Sequence, residues 1–483
     1  MLVHRFNVFT TGILLILACL QISCKKDFLN IDPKGYLIPG KVADYDAMLN
    51  GLSSVGQPAI MVLSDEIAAS AGEFESSALP FDQNAFKWAD DIYLVSDQVN
   101  DYDTFNKQLY IYNKIINEVM NATDGTDQQK RSIRAEALAS RAYIYLMLVN
   151  LYGKPYQAAT ASTDLGIPLI KVADVTQTKF TRATVQQCYD QLINDLTKAI
   201  PDLPQMVTRR FRMSSAAAKT LLGKAYVFMG KYELALPLLD AAITEIKDAK
   251  IAVGLYDFNQ ELVAGGAFYP IDPDSGPARK VPGNDKEIVY TKLARNFYNF
   301  VLSAFLLNQE TVNLFGPNDL RRQFMTPSAF SGGQSFPLGM MRAYGKGYSN
   351  FGVNVPDMYL LRAECGARLG NLSTATQELF NFRKMRMPAA DAVIPVAVAN
   401  NQHALIKFIL DERIREFALN GDRWFDMRRL SVDPEFQNTV GTTHRVYNDN
   451  GQVIATYTLK PERLTLRIPL YIMAANPGMP QNP

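Results

Sequence analysis

Over long stretches of this chain apolar residues recur at three- and four-residue intervals, the spacing of one helical face. From Thr104 to Met120, the residues Phe105, Leu109, Tyr112, Ile115, Ile116 and Val119 keep to such a face. A longer helix is predicted over 131–152, ending at Gly153 with Pro155 beyond it. Another is predicted from Val185 to Ile200. The stretch "LLGKAYVFMGKYELALPLLDAAI" (221–243) then pairs two helices. Small residues at Gly223, Ala235 and Ala242 let the two approach closely, Gly230 marks the turn, and Leu222, Tyr226 and Tyr232 fill further positions of the tetratricopeptide pattern. "LLRAECGARLGNLSTATQELF" (360–380) repeats this logic with Ala363, Gly366, Gly370 and Ala375. Such pairs cannot bury their apolar faces alone, and the helices over 131–152 and 402–420 are the natural neighbours to stack on them.

Between the two pairs the pattern changes. Residues 251–356 are rich in Gly, Pro, Asn and aromatics, as in "GGAFYPIDPDSGPARKVPGNDKEIVYTKLARNFYNF". A short strand is predicted at Glu287 to Lys292, and the rest reads as long ordered loops, which in a compact domain are usually functional. The last fifty residues, with "ATYTLKPERLTLRIPL", predict a short hairpin and an extended tail.

The N-terminus has its own pattern. Arg5 precedes an apolar run from about Thr11 to Ile22, too short to span a bilayer, and Ser23-Cys24 then gives way to polar sequence. This predicts an export signal over 1–23 and lipid attachment at Cys24, with Cys19 as the rival position and an ordinary secretory signal as the alternative. Residues 25–60 begin as a tether, with turns at Asp32-Pro33 and Pro39-Gly40. Apart from Cys19 and Cys24, the cysteines are Cys188 and Cys365; both fall in helical patterns and read as buried thiols, although an exported location allows a disulfide.

Charge narrows the function. With 49 basic residues against 48 acidic ones, no basic face tracks phosphates, so nucleic acid is not an expected partner. His403 and His444 are the histidines outside the signal, without a nucleophile motif or a metal-ligand cluster, and no phosphate or dinucleotide fingerprint appears. Neither a cofactor nor a catalytic residue is expected.

One stretch looks like chemistry. "DERIREFALNGDRWFDMRRL" (411–430) holds five acidic and five basic residues around Trp424. Ile406, Leu410, Ile414 and Phe417 form an apolar stripe, and Asp411 and Glu412 each have Arg415 within helical reach. Asn420-Gly421 ends the helix, and Asp422 can cap a second one that carries Trp424, Phe425 and Met427 inward. Paired carboxylates could serve a glycosidase, but an arginine beside each keeps it ionised and unsuited to donate a proton. The stretch therefore reads as a structural clamp.

"ERIREFALNGDRWFDMRRL" also resembles the C-terminal signature of the SusD/RagB family of outer-membrane nutrient-binding lipoproteins. "SCKKDFLNIDPKG" looks like that family's lipid attachment and tether, and "NKQLYIYNKIINEV" (106–119), "KEIVYTK" (286–292) and "RIPLYIMAANPGMPQNP" (467–483) match it in order. The resemblance implies an all-α fold, a tetratricopeptide-like superhelix of helix pairs with a loop-rich, ligand-facing insertion region and minor β-hairpins. It implies one domain over 24–483, with its scaffold at about 100–250 and 357–430 and its loops at about 251–356. It also implies an outer-membrane, surface-facing location, anchorage by lipid alone, and a SusC-like TonB-dependent barrel as partner, onto which the protein closes as a lid after capturing a glycan or peptide.

For a glycan, aromatic faces stack on sugar rings while Asn, Asp and Arg bind hydroxyls. The early segment offers Trp88, with Tyr93, Asn100 and Tyr102 near it in sequence. The loop after "EIVYTK" offers Arg295, Asn296 and Tyr298, although Phe297 and Tyr298 share helical spacing with Phe300, Val301 and Phe305, which points to a core. Tyr344 and Tyr348 sit among glycines in "RAYGKGYSNFG". The chain has only 2 Trp, and the clamp takes Trp424, so a peptide-capturing receptor of the RagB type is an alternative. A lipid-anchored tetratricopeptide scaffold that binds only proteins is another.

Overall fold

The computed structural model describes residues 39–483 apart from 57, 58, 98 and 299–301, and describes 100 and 101 in their backbone alone. Cys24, Cys19 and the expected signal and tether lie outside the described residues. The scaffold helices are α1 (Asn100–Glu118), α2 (Asp127–Tyr152), α3 (Val185–Ala199), α4 (Ser215–Phe228), α5 (Tyr232–Glu245), α6 (Val355–Arg368), α7 (Leu372–Arg383), α8 (Gln402–Glu416) and α9 (Asp422–Leu430). Residues Lys41–Pro483 form one compact unit.

Helix starts are set by caps that periodicity alone does not register. α2 begins four residues before its apolar run, where Thr126 Oγ1 accepts from the Gln129 amide and the Gln129 side chain returns a bond to Thr126 N. Thr184 and Gln187 do the same for α3. From Ala135 to Tyr152 every residue of α2 is buried, which makes this helix the axis of the fold. Arg141 ties it to its neighbours, reaching both carboxylate oxygens of Asp195 on α3 at 2.8 Å and Asn113 on α1 at 2.9 Å.

The two sequence repeats are helix pairs, α4 with α5 and α6 with α7. Gly230 (φ +70) and Gly370 (φ +80) make the turns in the left-handed region that other residues avoid. A Cβ at Gly223 would lie 3.1 Å from Leu239 Cγ, so the small residue sets how closely α4 and α5 approach. α5 packs on α6, and α6 in turn on α8.

Short helical turns and short strands make up the other elements. β1 (Ser54–Gly56), β4 (Leu293–Arg295) and β6 (Tyr348–Asn350) form one sheet in the order β1-β4-β6. β3 (Ile288–Tyr290), inside the predicted 287–292 strand, pairs with β7 (Val353–Asn354). β2 (Ile67–Ser70), β5 (Phe305–Leu307), β8 (Thr443–Tyr447) and β9 (Val453–Thr458) form a mixed sheet in the order β9-β8-β2-β5, with β2 parallel to β8. The chain is thus helical with several small sheets.

Several expectations are corrected. Phe305 lies in β5 rather than on a helix, and its ring packs edge-on against Tyr298. The C-terminal hairpin of β8 and β9 falls within the last fifty residues, as expected, but only "ATYT" of the quoted stretch is strand, and the tail contains a helical turn at Leu470–Ala475. The helix expected to reach 420 stops at Glu416, after which Leu419 (φ +59) and Gly421 (φ +89) turn the chain sharply into α9.

Candidate ligand-binding site

The charged stretch is interior. Trp424, Arg386 and Arg428 head the fully buried side chains by size. Glu412, with no exposed surface, accepts from Arg321 and Arg415 at 2.6 Å each and from Arg383. Burial pushes its proton affinity up, but Arg415, Arg321 and Arg383 together pull it well below the usual carboxylate range. Arg386 bridges Glu287 (2.7 Å) and Glu416 (2.8 Å); Arg413 bridges Asp357 (2.8 Å) and Asp426 (2.7 Å); Arg429 joins Asp426 to Glu364. These pairs fasten α8 and α9 to α6, α7 and the loop region, as a clamp does.

Two details differ from the sequence reading. Asp411 pairs with Lys407, one turn back, rather than with Arg415. Asp422 is not a cap: Gly421 holds that position, and Asp422 is the first helical residue, buried, with no hydrogen bond or ion pair to its carboxyl group among the described residues. Burial pushes its pKa up to about 7, so not every carboxylate here is held ionised by an arginine.

Beside this network a cleft of about 160 Å³ opens between the loop region and the α8–α9 corner. Phe268, Phe324 and Phe417 supply apolar wall, while Asn350, Asn354, Asn420 and Asp422 supply polar groups. Tyr348, half-buried in the wall, is held by Lys280 O at 3.2 Å and Asp285 Oδ2 at 3.3 Å.

Of the aromatic and polar residues nominated from sequence, Tyr348 lines this cleft; the others are dispersed. Trp88 is buried, its Nε1 donates to Leu63 O at 3.0 Å, and its ring lies on His444 with centroids 3.7 Å apart, so no face is open to a sugar. Tyr102 is buried edge-on to Tyr152. Tyr93 is half-buried and stacks on Phe81. Asn296 is buried and donates to Ser349 Oγ and Leu419 O, a fastener rather than a ligand contact. Tyr344 is buried, with its hydroxyl on Pro273 O at 2.6 Å. Arg295 is exposed at the end of β4, and the side chain of Asn100 lies outside the described residues.

Tyr298 is buried, and its hydroxyl donates to Asp82 Oδ2 at 2.6 Å, which joins the loop after "EIVYTK" to the early segment. Burial pushes Asp82 up to about 7, against the pull of that hydrogen bond. A carboxyl that binds its proton more tightly folded than unfolded loses stability as pH rises, here from about 4 to about 7. Asp82→Asn is expected to flatten the stability profile in this window by up to about 1.4 kcal/mol per pH unit, read from urea midpoints. An unchanged slope would mean that Asp82 ionises freely.

Among the described residues of the loop region the outward aromatics are Tyr269 and Phe330, which the sequence reading passed over, and Phe297, whose spacing points to a core but which the structure leaves exposed. Phe330 is 62% exposed. The loops of Tyr269 and Phe330 are braced together: the turn closing the 271–277 hairpin receives Ser331 N on Asp274 Oδ1 and Arg342 on Asp274 O, and Gly276 packs on the Tyr344 ring. Their Gly/Pro-rich context was visible, but which ring faces out depends on this bracing.

Two family comparisons bracket these loops. Residues 40–227 match the family described as starch-binding associating with outer membrane, and residues 355–483 match the SusD family. The chain belongs to the SusD/RagB family. Solved structures agree in fold. A SusD superfamily protein from Bacteroides thetaiotaomicron is 19% identical with a TM-score of 0.69, the match covering 92% of this chain and 100% of that one. One from Bacteroides fragilis is 18% identical, TM-score 0.68, covering 91% and 99%. A SusD-like carbohydrate binding protein from Bacteroides vulgatus is 16% identical, TM-score 0.63, covering 91% and 98%. No curated protein matches the chain. Among the described residues no helix is long and apolar enough to cross a membrane.

Proposed function

We propose that this SusD/RagB member is a non-catalytic surface receptor that captures a glycan with its loops and passes it to a SusC-like TonB-dependent transporter of the outer membrane. In this reading residues 1–23 are removed, Cys24 carries the lipid anchor, and residues 24–483 are one domain whose helix pairs build a tetratricopeptide-like superhelix. The observation that carries it is the division of the chain: family resemblance on both sides, at 40–227 and 355–483, of a loop region with three outward aromatic rings among its described residues. Aromatic faces on braced loops, with Arg295 exposed nearby in sequence, suit sugar rings and hydroxyls. A peptide cargo is the second reading, favoured by the burial of both tryptophans.

The test is binding of the full chain, as its host processes it, to a panel of polysaccharides and oligopeptides, with Phe330→Ala and Tyr269→Ala alongside. Saturable glycan binding, weakened about tenfold in at least one variant, is expected. Binding of peptides alone would overturn the glycan reading, and glycan binding unaffected by either variant would move the site off these loops.

A further inference from the structure

We propose that the cleft beside the clamp is a binding site for a primary ammonium group, which pairs with Asp422. This is independent of which cargo the outer loops carry. The argument starts from what each charged group in the walls already does. Arg321 is bound to Asp319, Glu412 and Glu416; Arg415 to Glu412; Lys346 to Asp285; and Glu287 to Arg386. An anion would meet no uncommitted cation there and four carboxyl groups, those of Asp285, Glu287, Glu416 and Asp422. Asp422 alone among these carboxyls lacks a hydrogen bond or ion pair to the described residues, and it is 7% exposed. A lone carboxylate in such a place costs free energy until a positive donor reaches it.

The rest of the cleft specifies the donor. Among the described residues no cluster of three or more His, Cys, Asp or Glu side chains could hold a metal ion, so a compact organic cation fits better. A cavity of about 160 Å³ holds one sugar or one amino-acid residue rather than a chain of them. Phe324 and Phe417 offer apolar faces to its body, and the half-buried Lys346 and Tyr348 leave a way in. The groups around Asp422 come from four helices: Tyr143 on α2, Lys224 on α4, Asp357 on α6 and Arg413 on α8, with Asp426 on its own helix. Lys224 is paired to Asp357 and Arg413 to Asp357 and Asp426, so ionised Asp422 adds one charge that no unpaired cationic side chain nearby balances. Burial leaves Asp422 with a pKa of about 7, and an incoming ammonium takes the proton's place.

The source of the ammonium is either an amino sugar or the N-terminus of a peptide, and one experiment separates them. Isothermal titration of the full chain would use glucosamine and glycylphenylalanine, each beside its N-acetylated form, at about pH 7.5 and about pH 5.5. We expect at least one free amine to bind at the higher pH and about twentyfold more weakly at the lower, with its acetylated form and the Asp422→Asn variant at least about tenfold weaker. Glucosamine alone would assign the site to amino sugars, and the dipeptide alone to peptide termini; either supports the proposal. Equal binding of acetylated and free forms, binding that does not fall with pH, undiminished binding by Asp422→Asn, or binding of neither amine would overturn it. Should the variant not fold, the acetylation pair and the pH ratio of the unaltered chain decide.

Discussion

Replacing Glu412 by alanine is expected to lower the unfolding free energy by about 3–5 kcal/mol, measured by urea or thermal unfolding. Three guanidinium groups converge on this carboxylate, and they do not lose equally. Arg321 keeps Asp319 and Glu416. Arg383 is left with the carbonyls of Asp391 and Ala392 and the Met387 sulfur, and Arg415 with Leu314 O. Two buried cations are then uncompensated, which costs more than the pair itself contributes. The pH dependence follows from the depressed proton affinity of Glu412. Its contribution is full above the unfolded carboxylate pKa of about 4.3 and disappears as pH falls through the lower folded value, so the difference between the two chains narrows on acidification. Equal stability at neutral pH would mean that the network is not a clamp.

That clamp was legible because charge and periodicity act locally. Of the stripe Ile406, Leu410, Ile414 and Phe417, Ile406 and Leu410 face inward from α8 and Phe417 is buried just past its end, while Ile414 is only half-buried, and acids and bases alternate within helical reach. What sequence does not reveal is the partner across the fold. Glu412 takes Arg321 and Arg383, 91 and 29 residues away, and Arg423 takes Asp65, 358 residues away. Asp422 was misread for the same reason. In sequence Asp after Gly looks like a cap, but Gly421 at φ +89 reverses the chain and turns the carboxyl into the interior.

The fold divides along the same line. Helices with strong faces, their glycine turns and the capping boxes at Thr126 and Thr184 are written in neighbouring residues. The mixed sheet is not: β2 is four residues long, "IAAS", without alternation, and it joins β5 and β8 from far along the chain. Aromatic residues in loops posed the hardest problem. Ring chemistry is the same whether Tyr344 is sealed under Gly276 or Phe330 points outward, and only long-range packing separates the two.

Trp88 makes that distinction measurable. As a sugar platform it would lose binding and keep stability on substitution; as a core residue it does the reverse. Its ring covers one face of His444, whose other face lies on Phe86 at 4.4 Å and 9°, and the His444 nitrogens sit 2.7 Å from the carbonyl oxygens of Phe86 and Ser64. Trp88 itself, at φ +48, is held in a conformation that bulky residues rarely adopt, and the bond from its indole to Leu63 O fixes the ring there. Trp88→Ala removes the largest member of this stack and leaves a carbonyl without its donor. A loss of about 3–5 kcal/mol is expected, with binding per folded molecule to whatever polysaccharide or peptide the panel identifies unchanged. A variant as stable as the parent that no longer binds would put the ligand on the early segment after all, and the outer loops would then need another role.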